Sequence, residues 1–249
     1  MVESALLEQL APTLPVETDP AVTRGLFITF EGGEGTGKST HIRFLSEALR
    51  RKGQEVVCVR EPGGTSIGEE LRQVVLNPNN ANMADECELL IYEAARAQIV
   101  QQTIRPALAR GAVVLCDRFF DSTVAYQAFG RGLSRDLVQA CNHIACQGLR
   151  PDRTILLVAP GGAEQGLERA TRRFGADRLE MEGLDFHERV LAGFQRILAE
   201  EPDRMRKVVS CEERSQTARG VFEALADLFP WMDEALADPA FFSSLDRGW

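Results

Sequence analysis

The sequence is poor in lysine and has no excess of positive charge, no paired cysteine motif and no long apolar run. Its only lysines are Lys38, Lys52 and Lys207, and the formal net charge is −9. This charge argues against a broad nucleic-acid or anionic-membrane surface. None of the six cysteines forms a C-x-x-C pair, which favours reduced thiols in a cytoplasmic compartment. No run is long and apolar enough to span a membrane, and the acidic amino terminus is unlike a signal peptide.

The composition otherwise indicates one globular α/β domain with an extension at each end. The chain is 44% hydrophobic and 26% charged, which is ordinary for a globular protein. Residues 1–24 are acidic and contain three prolines, so we expect a loosely attached tail. Residues 229–249 include Trp231, Phe241, Phe242 and Trp249, and this aromatic area is expected to pack on the body of the protein or on a partner chain. The domain itself is predicted to span 25–228.

The stretch from Glu31 to Thr40 contains the pattern G-x-x-x-x-G-K-S between a predicted strand and a predicted helix. Residues 26–30 are apolar and β-prone, and the apolar positions in 41–52 have helical spacing. Glycines let successive N–H groups converge on anionic oxygens, and the helix dipole adds positive potential. A glycine-rich turn with a chance lysine is the alternative. The predicted phosphate-binding residues are Gly32, Gly33, Glu34, Gly35, Thr36, Gly37, Lys38, Ser39 and Thr40.

A carboxylate and several cations follow other predicted strands. The apolar strand 112–116 ends in Asp117 and Arg118. A carboxylate at such a position completes many magnesium sites beside phosphate-binding loops, and the Ser39 hydroxyl suits the same ion. We therefore predict Mg²⁺ at Ser39 and Asp117. The strand 55–59 is followed by Arg60-Glu61-Pro62-Gly63-Gly64-Thr65 at the sheet edge that binds ligands in open α/β folds, although a simple turn is equally compatible.

Three polar sets have both a functional and a structural interpretation. Tyr92 and Arg96 lie four residues apart on a predicted helix, so both can face a flat heteroaromatic ring, or they can be a packed tyrosine and a surface arginine. After Arg118, the groups of Ser122, Tyr126 and Gln127 could bond a base and a sugar, or they could be caps and solvated residues. Farther on, four arginines form either a solvated face or a set that closes over phosphates, namely Arg169, Arg172, Arg173 and Arg178.

Helix boundaries are predicted from caps and breakers. Asp85 is expected to cap the helix that carries Tyr92, and this helix is expected to continue beyond Pro106 with a break or kink there. Ser134 is expected to cap a helix over 133–149. The last strand is predicted over 207–210 and the last helix over 217–228.

Several motifs together resemble those of bacterial-type thymidylate kinases over about residues 25–228. The matching pieces are FEGGEGTGKST at 30–40, REPGGT at 60–65, YEAAR at 92–96, DRFFDSTVAYQ at 117–127 and ERATRRFGADRLE at 168–180. The resemblance implies a three-layer P-loop kinase fold with a five-stranded parallel sheet flanked by helices, an arginine-bearing lid at about 168–182, and a homodimer. It also implies the reaction of ATP with dTMP to give ADP and dTDP, with Mg²⁺.

The resemblance also implies residue roles. Lys38 and Ser39 would serve ATP and magnesium, Arg60 and Arg118 would hold the acceptor phosphate, and Asp117 would lie near the metal. The catalytic set is Lys38, Asp117, Arg118, Arg172 and Arg173, of which the last two belong to the lid. The acceptor set is Glu34 at the sugar, Arg60, Pro62, Tyr92 stacked on thymine where the family often has phenylalanine, Arg96 on O4, Arg118, Ser122 and Gln127 at the base edge, and Tyr126 against the ribose 2′ position.

The chain departs from the family pattern before the lid. The family usually has an aspartate in the strand where this chain has Leu157, and the segment 161–164 looks altered or lengthened. A degenerate kinase that serves as a scaffold is therefore an alternative, and another nucleoside monophosphate kinase is a second. A GTPase is disfavoured because the sequence has no Asn-Lys pair for reading guanine.

Overall fold

The computed structural model of the chain describes residues 24–167 and 177–247. Five strands form one sheet in the order β2-β3-β1-β4-β5, and every neighbouring pair is parallel. The strands are β1 Phe27–Glu31, β2 Val56–Arg60, β3 Val113–Asp117, β4 Arg153–Val158 and β5 Met205–Val209. Helices cover both faces, so the sheet and its layers are those predicted from the sequence.

Strand β1 is the central strand of the sheet, and its side chains are buried on both faces. Phe30 packs in the apolar layer on one face, whereas Phe27 packs on the other against Phe119, with ring centroids 4.9 Å apart. The register pairs Phe30 with Asp117 of β3 and Asp117 with Arg60 of β2. The carboxyl ends of these three strands therefore meet at one edge of the sheet, which brings the glycine-rich loop after β1 close to Asp117.

Besides the helical residues 162–167, the described part of the chain contains nine α-helices. They are α1 Lys38–Arg51, α2 Ser66–Leu76, α3 Asp85–Ile99, α4 Arg105–Ala109, α5 Phe120–Thr123, α6 Arg135–Cys146, α7 Leu184–Glu200, α8 Arg214–Glu223 and α9 Met232–Ala237. Wider π-helical turns follow α3 and α5 at Val100–Ile104 and Val124–Gly130, and residues 162–167 are helical. Every helix of the residues described is too short or too polar to cross a lipid bilayer.

Two helix starts differ from the prediction. Asp85 is the first residue of α3 and not its cap, which is Ala84; with Glu86 and Glu88 it places negative charge at the positive end of the helix dipole. The helical path continues past Pro106 as expected, and its regular α-helical pattern is interrupted just before that residue by the π-helical turn that leads into α4. The Ser134 side chain makes no cap hydrogen bond, and α6 is shorter than predicted because Gln147 adopts a left-handed conformation.

The aromatic carboxyl-terminal segment packs on the body of the protein, as one of the two expected outcomes had it. Phe242 and Leu245 are buried in the same apolar cluster as Phe44 of α1 and Phe222 of α8. The Phe242 ring centroid lies 5.8 Å from that of Phe44 and 5.0 Å from that of Phe222. The segment is thus part of the core that supports α1, while Trp249 and the extension at 1–23 lie outside the described residues.

Candidate active site

The loop between β1 and α1 is shaped by glycines where another residue would collide. Gly32 has φ +130°, and a Cβ atom there would lie 2.1 Å from the Leu157 carbonyl oxygen of β4. Gly37 precedes α1 with φ +86°, another conformation that favours glycine. The loop can therefore lie directly on the sheet and turn into α1, so its N–H groups and the helix dipole act at one place.

Lys38 is folded over this loop. Its Nζ donates to the carbonyl oxygens of Gly32 and Gly33 at 3.2 and 2.8 Å. Burial, with a contribution from the charge of Arg118, lowers the pKa of the Lys38 ammonium. A buried cation whose hydrogen bonds go to carbonyl oxygens is well placed to exchange them for anionic phosphate oxygens.

The two residues predicted to hold magnesium are neighbours. Ser39 Oγ donates to the Asp117 carboxylate at 2.9 Å, and both lie at the exposed mouth of the loop. Hydroxyl and carboxylate oxygens are the hard ligands that Mg²⁺ prefers, and Mg²⁺ at nucleotide sites usually takes only one or two protein ligands. Residues 24–167 and 177–247 contain no group of three or more His, Cys, Asp or Glu that could hold a metal ion. The residues present fit a magnesium ion shared with phosphates and water.

Arg118 links the loop to the polar residues beyond it. Its backbone has φ +69°, a conformation that costs energy for a residue with a side chain and that turns the guanidinium across the loop. Nη1 of Arg118 donates to the Gly32 carbonyl at 3.0 Å and to Ser122 Oγ at 3.2 Å, and Nη2 pairs with Glu34. The guanidinium also lies 5.2 Å from the centroid of the Tyr126 ring.

Glu34 is held as a carboxylate in this arrangement. Burial alone would raise its pKa, but the charges of Arg118 and Lys38 outweigh burial and bring the pKa to about 2. The Tyr126 hydroxyl donates to the same carboxylate at 3.2 Å. The Arg118–Glu34 pair therefore connects the phosphate loop with the side chain of Tyr126.

Beyond this pair opens a cavity of about 100 Å³ that is continuous with solvent. Eight of the nine residues predicted for the acceptor line it: Glu34, Pro62, Tyr92, Arg96, Arg118, Ser122, Tyr126 and Gln127. The cavity has the mixed aromatic and polar lining of a small-molecule site. Arg60, the ninth, does not line it, because its guanidinium donates to Glu69 at 2.9 Å and to the Pro62 carbonyl at 3.2 Å.

Sequence reasoning missed several lining residues. Arg72 of α2 lines the cavity and donates to the Pro62 carbonyl at 2.9 Å. Burial, followed by the nearby charge of Arg60, lowers the pKa of Arg72. The only available signal was its position on the helix that starts after the REPGGT motif. The other missed residues are Glu61, Leu76, Thr123, Asp177 and Leu179.

Arg96 is fully enclosed in the cavity wall. Its Nε donates to Glu61 at 2.8 Å, and its Nη1 donates to Glu93 at 2.7 Å and to Asn142 at 2.9 Å. Burial raises the pKa of Glu61 to about 7 against the opposing effect of Arg96. Neither a surface arginine nor a mobile one, Arg96 is a fixed cation at the base of the cavity.

Ser122 and Gln127 are likewise tied to carboxylates. Ser122 Oγ donates to Glu31 at 2.6 Å, and Gln127 Nε2 donates to Glu88 at 2.7 Å. Glu88 also pairs with Arg131 at 3.0 Å. The polar lining of the cavity is thus positioned by buried carboxylates behind it.

The arginines predicted for the lid are only partly described. Arg178 is buried, and it donates from Nε to the Val75 carbonyl at 2.8 Å while its Nη2 pairs with Glu88. The expectation that Arg178 is available for phosphates was therefore wrong, because the residue anchors the end of the lid region to α2 and α3. Arg169, Arg172 and Arg173 lie outside the described residues, and their predicted role stays a prediction.

Leu157, where the family usually has an aspartate, is fully buried in the apolar core. Its carbonyl is the group against which Gly32 rests. The arrangement of Lys38, Ser39, Asp117 and Arg118 described above is assembled without a carboxylate at this position.

Comparison with known proteins places this site in a family. A model of the thymidylate kinase family matches residues 30–218. A thymidylate kinase of Geobacter sulfurreducens is 46% identical over 212 residues, covering 83% of this chain and 99% of that protein. One of Pseudomonas fluorescens is 51% identical over 180 residues, covering 72% of this chain and 85% of that protein. The crystal structure of thymidylate kinase from Ehrlichia chaffeensis matches with a TM-score of 0.66 and 29% identity, over 81% of this chain and 98% of that one. The chain belongs to the thymidylate kinase family, which confirms the family, the P-loop kinase fold and the class of phosphotransferase predicted from its sequence.

Proposed function

We propose that this protein transfers the γ-phosphoryl group of ATP to dTMP, yielding ADP and dTDP for the synthesis of dTTP. Membership in the thymidylate kinase family supports this activity. The observation that carries it is the position of Arg118, which contacts the Gly32 carbonyl of the phosphate loop and lines the cavity on the other side. A phosphate donor on the loop and a nucleotide in the cavity would meet at this guanidinium.

The reaction needs no general base. A phosphate oxygen of dTMP is already ionised at neutral pH, so it can attack the γ-phosphorus of ATP in line. The protein then contributes position and positive charge. Lys38 exchanges the carbonyls of Gly32 and Gly33 for the outer phosphates, and Arg118 exchanges Glu34 for the acceptor phosphate. Arg72, beside Pro62, adds a second cation at the acceptor end of the cavity.

Ser39 and Asp117 are the residues that would hold Mg²⁺. When bound there, the ion would neutralise negative charge on the phosphates of ATP. Catalytic roles for Arg172 and Arg173 belong to the same proposal on grounds of sequence alone.

The cavity lining supports thymine as the base. Tyr92 offers an aromatic face, Arg96 is a fixed donor for the O4 carbonyl, and Gln127 lies at the base edge. Tyr126 is held by its hydrogen bond to Glu34 and by edge contacts to Phe186 and Phe194, so it would resist displacement by a ribose 2′-hydroxyl. Glu34, once released by Arg118, is placed for the acceptor sugar.

We also propose a homodimer in the cytoplasm that acts on free nucleotides, without a nucleic acid or membrane partner. Helix α3 packs between α2 and α6. Each of these helices exposes large apolar side chains, namely Ile67 and Val74 on α2, Leu90 on α3, and Leu137 and Ile144 on α6. A second copy covering them would remove this area from water. Sedimentation of wild-type protein and of Leu90→Glu tests this, with a monomeric wild type as the contrary result.

The activity is tested by measuring both ADP and the phosphorylated acceptor with ATP and Mg²⁺. The acceptors are dTMP, dUMP, ribothymidine monophosphate and dCMP, beside a reaction without acceptor. We expect turnover with dTMP well above that with the other three. Turnover without any acceptor would instead indicate an ATPase or a nucleotide-dependent switch.

If no phosphorylated product forms with any acceptor while ATP binding is measurable, a scaffold derived from a kinase would be favoured. Leu157 would then be the first position to examine, because Leu157→Asp restores the residue usual in the family. A preference for another nucleoside monophosphate would keep the phosphate loop and reject the assignment of the base site.

A further inference from the structure

The chain leaves β4 through a tight turn and returns to the phosphate loop. Gly162 N–H donates to the Ala159 carbonyl at 3.1 Å, and Gly161 N–H donates to the Gln165 side chain at 3.2 Å. Residues 162–167 are then helical. We refer to residues 161–167 as the lid stem, because they lead into the region predicted to form the lid.

The lid stem touches the phosphate loop through a glycine. Gly166 is buried, and a Cβ atom on it would lie 2.6 Å from the carbonyl oxygen of Glu34. Separations under 3.0 Å are essentially never seen for real Cβ atoms, and the neighbour here is backbone that cannot rotate away. Any side chain at Gly166 must therefore move the lid stem or the loop.

The loop makes a second contact of the same kind at Gly32. Gly32 rests on the Leu157 carbonyl of β4, where a Cβ atom would lie at 2.1 Å. The space between the lid stem, the loop and α7 is a cavity of only about 30 Å³, lined by residues that include Thr36, Leu157, Leu167 and Phe194. The stem therefore has little room to sink past the loop, and Gly166 sets how near it comes.

Glu34, whose carbonyl oxygen lies against Gly166, also contacts two residues that line the acceptor cavity. Glu34 carries the carboxylate that pairs with Arg118 and accepts from the Tyr126 hydroxyl at 3.2 Å. A shift of the Glu34 backbone would move both contacts. It would also open the loop to water from the side that the stem now covers.

We propose that Gly166 is a positioning residue for phosphoryl transfer: the absence of its side chain seats the lid stem on the Glu34 carbonyl, which fixes the backbone of Glu34 beside Arg118 and keeps water from the phosphate loop. This role presupposes the proposed dTMP kinase activity. It concerns the residues up to 167 and needs no assumption about those at 168–176.

The test compares Gly166→Ala with Gly183→Ala in the full chain. Gly183 precedes α7 in an extended conformation, and a Cβ atom there meets nothing within 4 Å, so it is a matched control. The readouts are kcat, the KM values for ATP and dTMP, and the ratio of ADP to dTDP formed. We expect Gly166→Ala to lower kcat by roughly 100-fold, because displacements of about 1 Å near the chemistry cost this much. We also expect an ADP to dTDP ratio above one.

The ratio separates positioning from a general structural defect. A slower enzyme that still forms one dTDP for each ADP, or a variant with the wild-type rate and ratio, would overturn the role of Gly166. If Gly166→Ala does not fold by circular dichroism, Leu167→Ala decides instead, since it loosens the stem without a collision. Excess ADP with that variant supports the role, and tight coupling overturns it. A wild type that fails to phosphorylate dTMP would overturn the proposed function itself and is recognised before any variant is measured.

Discussion

The region behind helix α1 and the region around the acceptor cavity are held together by different kinds of interaction. Behind α1, Phe44 packs with Phe222, Phe241 and Phe242 at ring-centroid distances between 5.8 and 5.9 Å. Around the acceptor cavity, the side chains are fixed by charged pairs such as Arg96 with Glu61. Apolar contacts are non-directional and tolerate substitutions of similar volume, whereas buried charge pairs fail when one partner is removed. Helix α1 is therefore held in place by buried apolar area. The side chains expected to recognise the acceptor are held in place by directional charged pairs.

The apolar contacts and the charged pairs also contribute differently to the stability of the fold. Burying apolar surface stabilises the fold roughly in proportion to area. A buried ion pair adds little net stability, because the desolvation of both charges opposes their attraction. We therefore expect substitutions behind α1 to act on stability alone, and those around the cavity to act on stability and acceptor recognition together.

Removal of the loop cation should give the largest effect. Lys38→Ala is expected to lower kcat/KM by about 10³-fold or more with little loss of stability, because it removes charge where the phosphates react. The control is Lys207→Ala, since Lys207 is exposed on β5. Steady-state ADP release measures both variants, and near-normal turnover of Lys38→Ala would reject the loop as the donor site.

The apolar side is tested by Phe242→Ala. Loss of this fully buried ring should cost about 3–5 kcal/mol of unfolding free energy, measured in urea, because a cavity remains in the cluster. The preference for dTMP over dUMP should not change, since no described residue of the aromatic cluster lines the acceptor cavity. Phe241→Ala, at a half-buried ring of the same cluster, should cost less. A changed base preference in Phe242→Ala would break the comparison.

The charged side is tested by Arg96→Ala. Glu61 and Glu93 would be left buried without their cation, so a loss of about 3 kcal/mol in stability is expected. The KM for dTMP should rise at least tenfold while the KM for ATP stays close to that of the wild type. Arg153 is the control, because it is also buried and pairs with Asp227 at 2.6 Å outside the cavity. Since Asp227 is exposed, Arg153→Ala should cost less stability than Arg96→Ala. If Arg153→Ala raises the KM for dTMP equally, the base-site assignment of Arg96 is wrong.

The smallest effect concerns the pH dependence of stability. Burial, with the nearby charge of Asp121, raises the pKa of Glu31 from 4.5 to about 7. Between these values the folded state holds a proton that the unfolded state releases, so stability should fall as pH rises through this window, by up to roughly 3 kcal/mol. Urea unfolding of Glu31→Gln should show a smaller slope, because its amide can occupy the same site without titrating. The remaining slope would come from Glu61, whose pKa burial also raises to about 7. An unchanged slope in Glu31→Gln would assign the effect to another group.

Local patterns sufficed for most of the fold and much of the site. The strand before Gly32 and the helix after Lys38 follow from periodicity, and parallel strands bring the ends of β1 and β3 together once the sheet is accepted. Ser122, Tyr126 and Gln127 of the motif at 117–127 line one cavity, and their binding roles stay predictions.

Long-range pairing was what the sequence could not reveal. Arg60 and Arg178 look like free cations, yet one is engaged by Glu69 and the other is buried against Val75 and Glu88. Which of 25 or so arginines is buried depends on which carboxylate the fold brings to it, and that information is not local. Arg72 was missed for the converse reason, since nothing in its helical pattern distinguishes a cavity wall from solvent.

The aromatic cluster behind α1 joins residues that are far apart along the chain. Phe44 is translated early, whereas its partners Phe242 and Leu245 are added some two hundred residues later. During synthesis the helix of the phosphate loop can form, but its apolar face has no complete cover until those residues have left the ribosome. An interrupted chain that ends before residue 229 would carry the whole catalytic motif set and still present Phe44 and Phe222 to water, which makes it a substrate for chaperones and not a shorter enzyme.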